Sequence, residues 1–400
     1  MKHVLSLATL YPNPANPRFG TFVARSLEAL AKRGDWRVTV INPIGLPPLG
    51  LGALSTRYRR LEELPEREET GRITILRPRF TLIPKVGARR NAAAIARAAL
   101  PLARAIDAET RVDLVDAQFF FPDGPAAAEI ARALGRPLSI KARGSDITYW
   151  GGIDHAREQM AQAADAASGL LAVSEALARD MAAIGLPQDK VTIHYTGLDR
   201  DRFRPLAHTQ LRPQLGRELG LALPDFAPLF ASVGALVERK GHHIAIQALA
   251  RLSKNHPAAC LLIVGKGEEK AALQALVAES GLEGRVHFTG AVDHDIMPLI
   301  LSAANAMVLP TANEGLANAW VEALACGTPL VTCDVGGARE LVTSEVAGQL
   351  VERTPEAVAE GMRAVLATKA DPEEIAALAA RFDWTAHAEE LALYYERLTA

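Results

Sequence analysis

Val4-Leu-Ser-Leu-Ala-Thr9, the segment Thr21–Lys32 and Trp36-Arg-Val-Thr-Val-Ile41 together decide the fold class. The two apolar runs read as strands buried on both faces. The segment between them carries Phe22, Leu27 and Leu30 at helical spacing and ends on Gly34, the residue type that closes helices in the left-handed conformation. Strand, helix and strand in close succession make a βαβ unit, which predicts an α/β chain with a parallel sheet. Between the first strand and its helix, Tyr11-Pro-Asn-Pro-Ala-Asn-Pro-Arg-Phe-Gly20 is a loop that proline keeps out of any helix. Gly20, at the mouth of the helix, either lets backbone amides approach a phosphate or is plain turn chemistry.

The alternation continues outward from this unit. Strands are predicted at Leu114–Gln118, Pro137–Arg143, Gly169–Val173 and Lys190–Gly197, with helices over 125–134 and 155–165 and another opened by Ser174. Residues 43–70, rich in proline and glycine and then in charge, read as a long loop with little regular structure. Leu198–Pro228 lacks periodicity and reads as an interdomain linker. A second series then begins at Leu229–Gly234. It runs through strands Cys260–Val264, Arg285–Thr289, Ala306–Pro310 and Leu330–Cys333, with helices over 242–252, 268–279 and 295–303. A length of 400 residues also favours two domains. We expect one over 1–205 and one over 206–382, with a final helix over 383–400 packing back on the first.

Composition narrows the function. Hydrophobic residues make up 49% and charged residues 22%, with a net charge of −2 that argues against a nucleic-acid binder. No apolar run is long enough to span a bilayer, and the N-terminus reads as a strand rather than a signal segment, so a cytoplasmic protein is expected. The segment Lys85–Arg104 sets Arg89, Arg90, Arg97 and Arg104 among alanines. It is either a solvated helix face or a peripheral contact with anionic lipid at the inner face of the membrane. Cys260, Cys326 and Cys333 sit in apolar runs and are expected as buried free thiols.

The chemistry concentrates in Leu309-Pro-Thr-Ala-Asn-Glu-Gly-Leu-Ala-Asn-Ala-Trp-Val-Glu-Ala-Leu-Ala-Cys-Gly-Thr-Pro329. Glu314 stands at a strand-to-helix turn, and Glu322 lies on a helix otherwise made for burial. A carboxylate there is costly without a partner. These are a helix-entry glutamate and a salt-bridged one, or a ligand site at a strand's carboxyl end. Upstream, Ser232–Gly241 sets Arg239 and Lys240 at a strand end, where cations could meet a diphosphate. Gly265-Lys-Gly267 lacks the third glycine of a dinucleotide fingerprint, so NAD binding is not supported. The triplets Asp199-Arg-Asp201 and Asp293-His-Asp295 lie in turns before helices, where aspartate caps, and are not read as metal ligands.

Val233–Gly241, Leu262–Gly267 and Glu314–Gly327, with Pro329 and Gly336-Gly337, resemble the glycosyltransferases of family 4, and the resemblance runs over nearly the whole chain. It implies the GT-B fold, two Rossmann-like parallel-sheet domains facing a central cleft, and retaining transfer from a nucleoside-diphosphate sugar without a metal or other cofactor. By this resemblance Lys240 and Arg239 would hold the diphosphate and Glu322 the ribose. Glu314 would hold the donor sugar, with the backbone of Gly315, Leu316, Ala317 and Asn318 at the helix N-terminus facing the sugar and phosphate. Gly20, Gly234 and Gly290 would mark donor-binding strand ends. The catalytic group would comprise Glu314, Lys240 and Arg143, with Arg143 and Asp146 lining the cleft.

Two positions depart from the family pattern: Ala235 replaces an arginine, and Arg143 replaces a histidine. Arginine does not deprotonate at neutral pH, so it binds rather than acts as a base. The expected acceptor is a saccharide or a lipid-linked saccharide in surface polysaccharide or glycolipid synthesis. The rival readings are a sugar-nucleotide epimerase of the same architecture and a binding protein with a degenerate site.

Overall fold

The computed structural model describes residues 1–17, 19–48, 55–83, 88–207, 210–368 and 370–400. The chain divides into two compact units, Met1–Gly197 with Trp384–Ala400, and Leu198–Asp383. The boundary falls at Leu198, a few residues before the expected one.

The first unit opens with β1 (Lys2–Leu7), α1 (Thr21–Arg33) and β2 (Trp36–Ile41), with Leu5 opposite Thr39 and Leu7 opposite Ile41 in parallel register. Next come β3 (Ile44–Leu46), α2 (Thr56–Glu62), β4 (Arg67–Thr70), β5 (Ile73–Leu76) and β6 (Arg79–Thr81). This corrects the expectation of an irregular loop over 43–70. There β4 pairs antiparallel with β5, and β3 pairs with β6. Elements of three or four residues are too short to show a period in sequence. Residues 49–54 of that stretch lie outside the described residues.

The unit continues with α3 (Asn91–Glu109), β7 (Leu114–Ala117), α4 (Asp123–Leu134), β8 (Leu138–Ala142) and α5 (Ser145–Thr148). It then adds α6 (Asp154–Ala166), β9 (Gly169–Ala172), α7 (Glu175–Ala183) and β10 (Val191–Ile193). The sheet order is β10-β9-β8-β7-β1-β2-β5-β4. The sheet grows one way from β1 through β2, and then the chain returns to lay β7 on the other side of β1. That reversal opens a crevice outside the carboxyl ends of β1 and β7.

Helix α3 buries Ala92, Ile95, Ala96, Ala99 and Ala103, packing on α4, while Arg89, Arg90, Arg97 and Arg104 stay exposed. Its apolar side is thus occupied by the core and is not free for insertion into lipid. Lys85 to Gly87 lie outside the described residues. Among the described residues, no helix is long and apolar enough to cross a membrane.

The second unit begins with α8 (Leu211–Leu219), a helix within the stretch expected as linker, anchored by buried Leu211 and Leu215. Then follow β11 (Leu229–Val233), α9 (His242–Leu252), β12 (Cys260–Val264), α10 (Lys270–Glu279) and β13 (Val286–Gly290). After them come α11 (Met297–Ala303), β14 (Ala306–Leu309), α12 (Asn318–Ala325), β15 (Leu330–Cys333) and α13 (Ala338–Leu341). The unit ends with β16 (Gly348–Val351), α14 (Pro355–Ala367) and α15 (Pro372–Ala377). Every residue of β11, β12, β14 and β15 is buried, as a parallel sheet covered on both faces requires. The order β13-β12-β11-β14-β15-β16 puts the reversal between β11 and β14.

The final helix α16 (Trp384–Leu398) belongs to the first unit and packs on α1. His387 shares a 2.7 Å hydrogen bond with the Ser26 hydroxyl, and Tyr395 meets the Trp36 ring edge-on at 5.5 Å. All three cysteines are buried and free.

Candidate active site

In the second unit the crevice is walled by the loops after β11 and β14. The first is a 3₁₀ turn, Glu238–Lys240, ended by Gly241 at φ 73°, where a Cβ would lie 2.2 Å from the Pro310 carbonyl oxygen. Only glycine permits both that dihedral and that approach. The two loops then lock together. The Ala312 amide and the Thr311 hydroxyl both donate to the Arg239 carbonyl, at 2.7 and 3.1 Å. Arg353, in the turn after β16, spans them by donating to the carbonyls of Pro310 at 3.0 Å and Glu238 at 3.1 Å.

Interlocked in this way, the loops bring the predicted charges together. Glu314 Oε1 accepts from Lys240 Nζ, from Arg239 Nη1 at 3.2 Å and from the Thr311 hydroxyl at 3.3 Å. The side chains of Glu314 and Lys240 are each 12% exposed, so the ion pair is shielded yet reachable. Arg239 is more open, at 55%. The loop is braced from the turn between β15 and α13 as well: the Gly337 amide donates to the Gly315 carbonyl at 2.6 Å. A Cβ on Gly336, at φ 51°, would lie 1.8 Å from the Glu314 carbonyl oxygen. The Gly336-Gly337 pair therefore serves the backbone of the Glu314 loop.

Glu322 lies on α12 with its side chain 14% exposed, 3.3 Å from His294 Nε2. Arg202 Nη1 donates to His294 Nδ1 at 3.2 Å, which fixes the imidazole proton on Nε2 and makes it the donor to Glu322. Phe203 holds the ring edge-on at 5.1 Å. Gly315, Leu316 and Ala317 are in the loop, and the helix begins only at Asn318, so the expected run of helix N-terminal amides is corrected to loop backbone leading into a short helix.

The glycines and Ala235 finish the picture of this side. Gly290 accepts the Gly265 amide at 2.9 Å, tying the ends of β12 and β13, whereas Gly234 meets only ordinary contacts and has no dihedral that demands glycine. His242 Nδ1 lies 2.9 Å from the Ser232 hydroxyl and its Nε2 3.2 Å from the Ala235 carbonyl. Burial depresses its pKa to about 4, so it is a neutral brace under the Ala235 turn. With alanine at 235, the cations drawn to Glu314 come from Arg239 and Lys240.

The aspartate triplets do local work. Asp199 accepts the Arg202 amide at 3.1 Å, Asp293 accepts the Asp295 amide at 3.2 Å, and Asp295 pairs with Arg202 at 3.1 Å. Among the described residues, no group of three or more His, Cys, Asp or Glu side chains could hold a metal ion.

Gly20, Arg143 and Asp146 belong to the first unit. Gly20 caps α1 at φ 70°, wedged where a Cβ would lie 2.5 Å from the Leu10 carbonyl oxygen, so its backbone closes its own loop. Arg143 donates from Nε to the Gln118 carbonyl at 3.1 Å and from Nη2 to the Gln118 side chain, and stacks over Phe22 at 5.1 Å. Its Nη1 is buried with no partner. Burial lowers its pKa to about 10, which leaves it charged at neutral pH.

The expectation that Asp146 contacts a ligand is corrected by its surroundings. It is fully buried and accepts the amides of Phe120, Arg143, Gly144 and Ile147 at 2.7 to 3.2 Å, so it shapes the loop that carries Arg143. Two further buried carboxylates escaped the sequence reading. Asp116 accepts the Ser6 hydroxyl at 3.0 Å and the Gln118 amide, and Asp123 accepts the amide and hydroxyl of Thr9 at 3.0 and 2.7 Å. Burial, reinforced by Asp146 and Asp116, pushes the Asp123 pKa up to about 7.

Residues 221–382 match the family "Glycosyl transferases group 1" and residues 19–202 match "Glycosyltransferase Family 4". A 2-deoxystreptamine glucosyltransferase of Streptomyces kanamyceticus is 30% identical over 69% of this chain and 73% of its own. A D-inositol 3-phosphate glycosyltransferase of Xylanimonas cellulosilytica is 31% identical over 60% of this chain and 59% of its own. Among solved structures, Anabaena HepE in complex with UDP superposes with a TM-score of 0.73 at 22% identity, covering 99% of this chain and 100% of that one.

Proposed function

The chain belongs to the glycosyltransferases of family 4 and has their GT-B fold; from that premise we propose that it moves a sugar from a nucleoside-diphosphate donor to a saccharide or lipid-linked acceptor, with retention of anomeric configuration and no metal. The observation that carries this reading is the meeting of Lys240, Arg239 and Glu314 at the reversal point of the second sheet. A donor diphosphate there exchanges the internal ion pair for its own: Lys240 and Arg239 take the phosphate oxygens, and Glu314 takes hydroxyls of the sugar. As the glycosidic bond breaks, negative charge grows on the leaving diphosphate, and cations already fixed in place stabilise it without reorganising. Glu322, aimed by His294, accepts the ribose hydroxyls. Arg143, with one unpartnered N–H group, binds a sugar hydroxyl or a phosphate oxygen.

Support for the donor class comes from HepE, whose structures hold UDP and UDP-glucose. The relatives are named for 2-deoxystreptamine and for D-inositol 3-phosphate, so the acceptor differs within the family. The test is a thermal-shift screen of UDP-, GDP- and ADP-linked sugars, because a ligand that binds only the folded state raises its stability. One nucleotide series is expected to raise Tm, and NMR of the product formed with acceptor should show the donor's own anomeric configuration. No stabilisation by any series would overturn the reading, as would a new sugar-nucleotide epimer formed without acceptor.

A further inference from the structure

The first unit carries a pocket of about 520 Å³ that the residues discussed so far do not explain. Its size suits a small ligand. It lies beside the carboxyl ends of β1 and β2. Among the described residues, its lining includes Asn13 and Asn42 from the loops that follow those strands, the rings of Phe19 and Phe80, and Arg57 and Arg60.

Three observations say what it takes. Arg57 and Arg60 stand three apart on α2, hence on one face, and both are exposed. Among the described residues neither pairs with a carboxylate, although acids are close in sequence: Glu68 goes to Arg77 at 2.7 Å and Glu69 to Arg67 at 2.9 Å. Second, α2 has no buried residue, so core packing does not account for it. Third, Asn42 is only 1% exposed; its Nδ2 donates to the Ala8 carbonyl at 2.7 Å, and its Oδ1 has no partner. A buried amide oxygen without a donor is costly unless a ligand or water supplies one.

Two free guanidinium groups, amide side chains and apolar ring faces together suit a hydroxyl-rich ring that bears an anion. The guanidinium fork matches phosphate or carboxylate oxygens in pairs. We propose that this pocket holds the acceptor, a saccharide or cyclitol carrying a phosphate or carboxylate group. Arg57 and Arg60 grip the anion, and Asn13, Asn42 and the two phenylalanines hold the ring. The word acceptor rests on the transferase reading; the anion preference does not.

The test is isothermal titration of the full chain with glucose 6-phosphate, myo-inositol 1-phosphate, glucuronate and neutral glucose. Flotation with phosphatidylinositol and phosphatidylcholine vesicles runs beside it, to separate a free anionic sugar from a lipid headgroup. At least one anionic probe, soluble or vesicle-borne, should bind about tenfold or more tighter than its neutral counterpart. The R57Q/R60Q double variant should lose that preference. R59Q, on the same helix but outside the pocket lining, should keep it. Equal binding of anionic and neutral probes would overturn the proposal, and so would an anion preference that survives R57Q/R60Q. UDP titrated in parallel reports on the donor reading alone: its failure to bind would sink that reading and leave the anion preference to stand or fall on its own data.

Discussion

Around the reversal of the first sheet, Asp116 in β7 is fully buried, as are Asp123 at the start of α4 and Asp146 on α5 after β8. At the corresponding reversal of the second sheet, Glu314, Lys240 and Glu322 keep 12 to 14% of their side-chain surface open. The topology of the two crevices is alike and the use of charge is opposite. In the first unit carboxylates are sealed in, collecting backbone amides and hydroxyls, so they fix loop shape at the cost of desolvation. In the second they are held at the surface by donors that a ligand can replace. Position at a strand's carboxyl end is therefore not enough to make a residue a binding group; what its hydrogen bonds already serve decides.

The largest expected effect breaks the first side of this contrast. Asp146→Ala strands four backbone amides, three of them buried, and at about 1–3 kcal/mol for each unsatisfied buried donor should cost about 3 kcal/mol or more of stability, read by urea denaturation. A loss under about 1 kcal/mol would mean that Asp146 is not the brace described. Lys240→Ala tests the other side. Turnover should fall about 10²–10³-fold, as for loss of a group that stabilises developing charge, with stability changed by about 1 kcal/mol or less. A variant that unfolds instead would erase the distinction between the two crevices.

Acidity sharpens the contrast next. Asp123, raised to about 7 when folded against about 3.9 in the open chain, holds its proton more tightly in the native state. Its contribution to stability is full below about 4 and is lost as pH rises through 7, at up to about 1.4 kcal/mol per unit. His242, lowered to about 4 against about 6.5, acts with the other sign: its contribution is present above 6.5 and lost as pH falls towards 4. Denaturation across pH should thus show Asp123→Asn relieving a loss on the alkaline side and His242→Gln relieving one on the acid side. Equal pH profiles for either variant and the parent would remove that group from the account.

The smallest effect concerns aim. His294→Ala should raise the donor KM about 3–10-fold with less change in kcat, since it removes one hydrogen bond to Glu322. His294→Gln, which can still donate, should recover part of the loss.

Much of this was legible in the chain. The βαβ unit at the N-terminus and the apolar strands of the second half carry their period on their face; Glu314, Arg239 and Lys240 stand out as charges after strand ends, and Glu322 as a charge on an apolar helix. The hidden parts depend on contacts between distant residues. Thr311 reaches Arg239, Arg353 reaches Pro310, and His294 reaches Glu322, over separations of 72, 43 and 28 residues that no local pattern encodes. The strands β3 to β6 were missed because three or four residues cannot display a period, and helix α8 because its buried side is only Leu211 and Leu215. Asp146 was expected to line the cleft because of the family resemblance around Arg143. Its four backbone donors become visible only once the loop is folded.

The central claim is that the crevice between β11 and β14 binds a nucleotide sugar through Lys240 and Glu322. Calorimetric titration of UDP-, GDP- and ADP-glucose into the parent chain, Lys240→Ala and Glu322→Gln tests it most directly. One nucleotide series should bind the parent, and each substitution should raise its Kd about tenfold or more. An unchanged Kd in both variants would contradict it.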